Sequence, residues 1–195
     1  TDMKLWLPIS LLIIAAILDV GVTNFGKSNL PVTPPVATDL SVPEIGAQAN
    51  LLLQPEVSAV PVGSEASFSV TVDTGSFRTF GVEGYFDYDP AVLTILSIEP
   101  GNLFDRPEVL LTSIDPTIGR ISYAVGSRTS AQGKGIAFTI RSKIKSLPQN
   151  GELVLSFNQQ KSHVSLEASD QSKRFSQEET LVVFEEKPIT ILAQE

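Results

Sequence analysis

The sequence predicts a mainly-β protein, a sandwich or barrel of short strands, placed after an apolar N-terminal segment and a proline-rich linker. Three observations predict it. Beyond residue 50, apolar and polar residues alternate with period two, as in strands with one buried face. Gly, Pro, Asn and Asp interrupt that alternation every few residues, which is the punctuation of turns. No stretch of the same region carries an apolar stripe with the helical period of 3.6.

Composition narrows the function. The 195 residues carry 14 Lys+Arg against 22 Asp+Glu, a net charge of -8. Phosphate binding needs clustered cations, so nucleic acid is not an expected partner. There is no cysteine, which excludes disulfides, thiolate metal sites and thiol nucleophiles. The one histidine, His163, leaves no His pair for a transition metal, and no cofactor is expected.

Residues 5–18 (LWLPISLLIIAAIL) are uncharged and almost wholly apolar; Asp19 interrupts and residues 20–25 continue less strongly. As a helix, residues 5–25 would span roughly 30 Å, the depth of a bilayer core. Residues 5–18 alone would span about 20 Å, which suits a signal-peptide core. No small-x-small cleavage site follows promptly; the first is Ala47-Gln48-Ala49. The expectation is therefore a retained single transmembrane helix over residues 1–25, with Leu5, Trp6, Leu11, Leu12, Ile13, Ile14, Ile17 and Leu18 in contact with lipid. Trp6 suits an interfacial position, and Pro8 costs little in the first turns. Asp19 reads as a headgroup-level residue, or as one paired with a neighbouring subunit. Lys4 and Asp2 offset each other. The N-terminus is placed in the cytoplasm and the C-terminal domain in the periplasm or outside the cell, the usual arrangement for a short N-terminal tail.

Residues 26–49 read as an extended linker. Pro31, Pro34, Pro35 and Pro43 favour polyproline geometry, at about 3 Å per residue, for a reach of roughly 70 Å. Residues 50–195 form the sandwich. Residues 50–57 (NLLLQPEV) read as a first strand and Pro61-Val62-Gly63 as a turn. Ala66, Phe68, Val70 and Val72 mark a half-buried strand, and Thr74-Gly75-Ser76 a turn after it. In the next strand Phe80, Val82, Gly84, Phe86 and Tyr88 alternate with Gly81, Glu83, Tyr85 and Asp87. Tyr88, Asp89 and Pro90 then make a structural corner. Asp89 can cap a short helical turn, and Pro90 suits its first position. Residues 92–98 return as a strand closed by Pro100-Gly101. Residues 109–114 form another, then residues 115–119 a turn. Ile121, Tyr123 and Val125 mark a strand, and residues 126–135 (GSRTSAQGKG) a flexible loop. Ile136, Phe138, Ile140 and Ile144 share one strand face. Leu153, Leu155 and Phe157 follow, then Val164, Leu166 and Ala168, then residues 181–184 and 189–192. About 145 residues bury a proper core without disulfides.

The ordered set of these motifs resembles the bacterial cohesin domain. Val62-Gly63-Ser64-Glu65-Ala66-Ser67-Phe68 is similar to that family's first strand. Val82 to Leu93, with Tyr88-Asp89-Pro90, is similar to its corner. Ile114-Asp115 with Gly119-Arg120-Ile121-Ser122-Tyr123-Ala124, and Gly133-Lys134-Gly135-Ile136-Ala137, follow in order. The resemblance implies a jelly-roll sandwich of about nine strands, related to carbohydrate-binding modules, that binds protein through a sheet face. Cellulosomal members bind dockerins. It carries over no specific contact residue.

No catalytic constellation emerges. Asp87 and Asp89 flank Tyr88, which raises a calcium site or a carboxylate pair, but Asp89 has a capping role and the structural reading is preferred. Ser162 precedes His163, yet no acid stands at a triad spacing. Phe77, Phe80, Tyr85 and Tyr123 could stack on sugar but read more readily as core. Residues 102–107 and 126–135 are candidate partner-contact loops. The expected function is a non-enzymatic, membrane-anchored accessory subunit of a larger membrane complex, conceivably photosynthetic or respiratory, with other subunits and lipid as partners. The alternative is a surface receptor or adhesion module for a dockerin-like protein or a polysaccharide.

Overall fold

The computed structural model describes residues 46–148, 155–177 and 179–193. The anchor residues Leu5, Trp6, Leu11, Leu12, Ile13, Ile14, Ile17 and Leu18, and the linker up to residue 45, lie outside the described residues. Among the described residues no helix is long and apolar enough to cross a membrane.

The described residues form ten strands: β1 (Ala47–Pro55), β2 (Ala59–Pro61), β3 (Glu65–Tyr88), β4 (Leu93–Pro100), β5 (Glu108–Asp115), β6 (Arg120–Ile144), β7 (Leu155–Phe157), β8 (His163–Glu167), β9 (Thr180–Glu186) and β10 (Thr190–Leu192). β1 starts inside the stretch read as linker. Ala47 and Ala49 are buried while Gln48 and Asn50 are exposed, so alanines carry the alternation there.

Two strands are far longer than the sequence suggests. β3 runs through the expected turn at Thr74-Gly75-Ser76, and β6 runs through residues 126–135, expected as a flexible loop. They pair antiparallel along nearly their whole length. Polar, glycine-rich composition hid this, because each stretch has its ladder partner in the other strand rather than in its own pattern.

This ribbon folds over on itself. Residues 65–73 of β3 pair with β1 and with residues 134–143 of β6, and β9 and β4 extend that layer in the order β4-β6-β3-β1-β9. Residues 78–87 pair with residues 120–132, with β5 on the far side of β6 and β7 and β8 along the other edge of β3. Tyr123 and Phe138 lie on the same strand and would be about 50 Å apart if it were straight. Their ring centroids are 4.9 Å apart. The bend falls where both strands lose register, at Thr74-Gly75 and at Gly133; both glycines have positive φ, 54° and 82°. The buried Thr74 hydroxyl clamps it, donating to the Phe77 carbonyl at 2.7 Å and accepting from Gly133 N–H at 3.0 Å.

The core lies between the two layers. Phe86 meets Phe138 edge-on at 6.0 Å, and Phe157 of β7 meets Phe184 of β9 at 5.2 Å. Gly84 faces these rings. A Cβ there would come within 2.7 Å of Phe86 and 2.8 Å of Phe138, so only glycine leaves them room. β10 and β2 pair in parallel as a separate two-stranded sheet. Val62 N–H donates to the Leu192 carbonyl beside it.

At the corner, the Asp89 carboxylate accepts from Ala91 N–H at 2.7 Å, and the Asp89 carbonyl accepts from Val92 and Leu93. Tyr88 is buried, and its N–H donates to the Gly119 carbonyl at 2.8 Å. Gly119 has φ 68°, and a Cβ there would lie 2.0 Å from the Tyr88 carbonyl oxygen. Pro90 Cδ packs against the same glycine.

Two predictions follow from this packing. Thr74→Val keeps the volume but strips the clamp, and should cost about 1–3 kcal/mol in urea unfolding; an unchanged midpoint would show that the bend holds without it. Burial pushes the Tyr123 and Tyr88 phenols above their ordinary value, with Glu99 and Asp115 adding to it. Above about pH 10 the unfolded chain ionises these phenols before the fold does, so stability should fall as pH rises. The Tyr123 hydroxyl has no partner among the described residues. Tyr123→Phe should therefore leave stability at neutral pH unchanged, or raise it by up to about 1 kcal/mol, and lessen the alkaline loss; a larger drop at neutral pH would contradict this.

Candidate protein-binding face

The two layers present different outer surfaces. The outer side of the β4-β6-β3-β1-β9 layer is mainly polar over its centre, with Ser67, Thr139 and the Arg141–Glu65 ion pair at 2.7 Å, and with Ser69 and Thr71 buried among them. The outer side of the β5-β6-β3-β8 layer carries an open groove of about 270 Å³. Phe80, Leu110, Ala124 and Val125 supply its apolar lining, and Glu83, His163 and Ser165 its polar wall.

Period two explains most of this face. With Val82, Gly84, Phe86 and Tyr88 turned to the core, Glu83, Tyr85 and Asp87 must point outward. Phe80 departs from the sequence reading, which put it on the buried face with Val82. A bulge lies between Thr79 and Gly81 in the pairing with both β6 and β8. It inserts one residue, so Thr79 takes the buried side at 0% exposure and Phe80 lines the outer groove. The Arg174 guanidinium lies 5.7 Å from its ring centroid. A second bulge, between Val109 and Leu111, leaves Leu110 67% exposed at the groove edge.

Charged pairs stand on or beside the strands that carry the groove, and one of them lines it. Glu83 meets His163 Nε2 at 3.2 Å, Asp87 meets Arg120 at 3.2 Å, and Glu108 meets Arg128 at 3.2 Å. Such exposed pairs add little stability, about 0–1 kcal/mol each, but order the surface. Lys161 lies 5.9 Å from the Tyr85 ring centroid. Where β7 ends and β8 begins, Ser162 replaces the missing strand: its hydroxyl accepts from Tyr85 N–H at 2.9 Å and donates to the Tyr85 carbonyl at 3.2 Å.

The other sequence candidates fall as follows. Ser162 is buried and tied to Tyr85, and both nitrogens of His163 face other oxygens, so the two are not joined as nucleophile and base. Asp87 is engaged by Arg120 and by the Asn158 amide, while Asp89 caps the corner. Among the described residues no group of three or more metal-binding side chains converges. Tyr123 is core; Phe77 packs edge-on to Phe175 at 5.5 Å; Phe80 and Tyr85 face outward. Residues 102–107 do form a loop, with the Asn102 side chain accepting from Ile136 N–H. Sequence reasoning missed Leu110 and the Glu83–His163 pair. The first depends on a bulge and the second on strands 80 residues apart, and neither leaves a local signal.

The comparisons agree with this architecture. The cohesin domain model matches residues 54–182, more than half of the chain, and the protein belongs to the cohesin domain family. A comparison with curated proteins finds no match. Among solved structures, type II cohesin A11 from Bacteroides cellulosolvens superposes with a TM-score of 0.59 at 13% identity, covering 73% of this chain and 99% of that one. The second type II cohesin module of the ScaA scaffoldin from Acetivibrio cellulolyticus gives 0.54 at 15%, covering 72% and 95%. The third ScaC cohesin from the same organism, solved in complex with the ScaB dockerin, gives 0.53 at 19%, covering 74% and 99%. At these identities the likeness is one of fold.

The outward position of Phe80 is testable against the core. Phe86→Ala should cost about 3–5 kcal/mol in denaturant unfolding, and Phe80→Ala about 1 kcal/mol or less. Equal losses would put Phe80 back in the core.

Proposed function

We propose that this chain is a non-enzymatic docking protein whose β5-β6-β3-β8 face receives a dockerin-type protein partner. The observation that carries the reading is membership of the cohesin domain family, matched over residues 54–182. The groove supports the choice of face, since an apolar centre with a polar and charged border is how protein interfaces are built. The ScaC cohesin, solved with the ScaB dockerin, makes a dockerin the first partner to try. The apolar run at residues 5–18 supports a membrane setting, with the sandwich held outside the cytoplasm by the linker. In that setting the protein would serve as an accessory subunit that ties a partner to a larger membrane assembly.

The test uses the full chain in mild detergent, titrated calorimetrically with dockerin modules, the ScaB dockerin among them. Saturable binding is expected, and Leu110→Asp should weaken it at least tenfold, about 1.4 kcal/mol, by placing a charge at the groove edge. Binding untouched by that change would move the interface elsewhere. Saturable binding of a polysaccharide with no dockerin bound would overturn the reading.

A further inference from the structure

We infer that His163 and Glu83 form a proton-operated latch on this face, closed when the imidazole is charged, so that docking is tighter at acid than at alkaline pH. The inference rests on the docking reading above and adds its regulation. His163 is the one histidine of the chain. It opens β8, and Glu83 faces it across the strand pairing, Glu83 to His163 in register. Nε2 lies 3.2 Å from the Glu83 carboxylate and Nδ1 3.3 Å from the Lys161 carbonyl oxygen. Both neighbours are oxygen acceptors. A neutral imidazole has one N–H and one lone pair, so it can serve only one of them and turns its lone pair on the other. Only the doubly protonated ring donates to both. Both contacts are satisfied together only by the imidazolium, so one of them must weaken when the ring is neutral.

The surroundings supply no replacement for that charge at Glu83. On β3, Tyr85 follows on the same face; the Glu83 carboxylate pushes its phenol up, so it stays neutral across the useful range. Asp87, further along, is held by Arg120 of β6 at 3.2 Å. Lys161, before β8, lies over the Tyr85 ring. From β5 the nearest lining residue is the apolar Leu110, and from β6 Ala124 and Val125. On its other side His163 borders a second, smaller pocket of about 150 Å³. Its remaining lining, Gln159, Gln160, Ser162, Gln177, Thr180, Val182 and Phe184, is uncharged. Among the described residues His163 is the one basic side chain lining either hollow; Arg174, which lies over the Phe80 ring, is paired with Glu167 at 3.5 Å.

The consequence for docking follows from desolvation. A partner that covers the groove takes Glu83 out of water. With the imidazolium beside it the pair goes in neutral overall; without it a lone carboxylate must be covered, which is costly. Imidazole is the side chain whose charge changes between roughly pH 5 and 8. Affinity should therefore fall about tenfold over that interval.

Two variants separate the parts and move in opposite directions. Glu83→Gln removes the charge that needs a partner, and should bind as tightly at about pH 8 as the wild type does at about pH 5.5. His163→Gln leaves Glu83 without its cation, and should bind weakly at both. The binding probe is a dockerin module found in the titrations above. Independently of any partner, an NMR titration of the full chain follows the single histidine ring. The amide signals of Glu83, Tyr85 and Lys161 should move with the ring's midpoint, and should lose that transition in His163→Gln. Wild-type affinity that does not change with pH overturns the switch and leaves docking standing. Coupled amide shifts with no dockerin bound at either pH overturn the docking reading and leave the latch standing. A ring that titrates while those amides stay still overturns the latch itself.

Discussion

The fold depends on one bend in a two-stranded ribbon. β3 and β6 are paired over most of their length, and alone they would make a long flat hairpin with both faces wet. Folding the ribbon at Thr74-Gly75 and Gly133 brings its two halves face to face and turns one side of each into core. The Thr74 hydroxyl satisfies backbone groups that the bend takes out of the ladder, which is what allows a buried kink. The remaining strands add to edges that the bent ribbon already provides.

The candidate face is a product of the same arrangement. Once Val82, Gly84 and Phe86 pack against Phe138, period two sends Glu83, Tyr85 and Asp87 outward. Two bulges then modify the rule, by delivering Phe80 and Leu110 to the groove. An apolar surface with charged flanks results, built on strands rather than loops. Strands hold side chains more rigidly than loops do, so little order is lost when a partner covers them.

Structural likeness at 13–19% identity fits this account. What the fold requires is alternation, small residues at close approaches and a corner that turns. Many side chains meet those demands. The Asp89 cap and the left-handed Gly119 beneath Tyr88 are the positions with least latitude, because they answer to backbone geometry rather than to volume. The outer face is under no such demand. Its residues are free to suit a particular partner, which is why membership of a family defines the platform more firmly than its occupant.

The β class, most strand positions and the turn at the corner are legible without a structure, because alternation, capping and glycine conformations are written in neighbouring residues. The sequence also singled out the one histidine and the absence of cysteine. The continuity of β3 and β6, the inversion of Phe80 and the pairing of His163 with Glu83 were decided only by the tertiary structure. Ladder partners, bulges and facing charges join residues far apart in the chain, and a polar stretch such as 126–135 becomes a strand only when another strand satisfies its backbone.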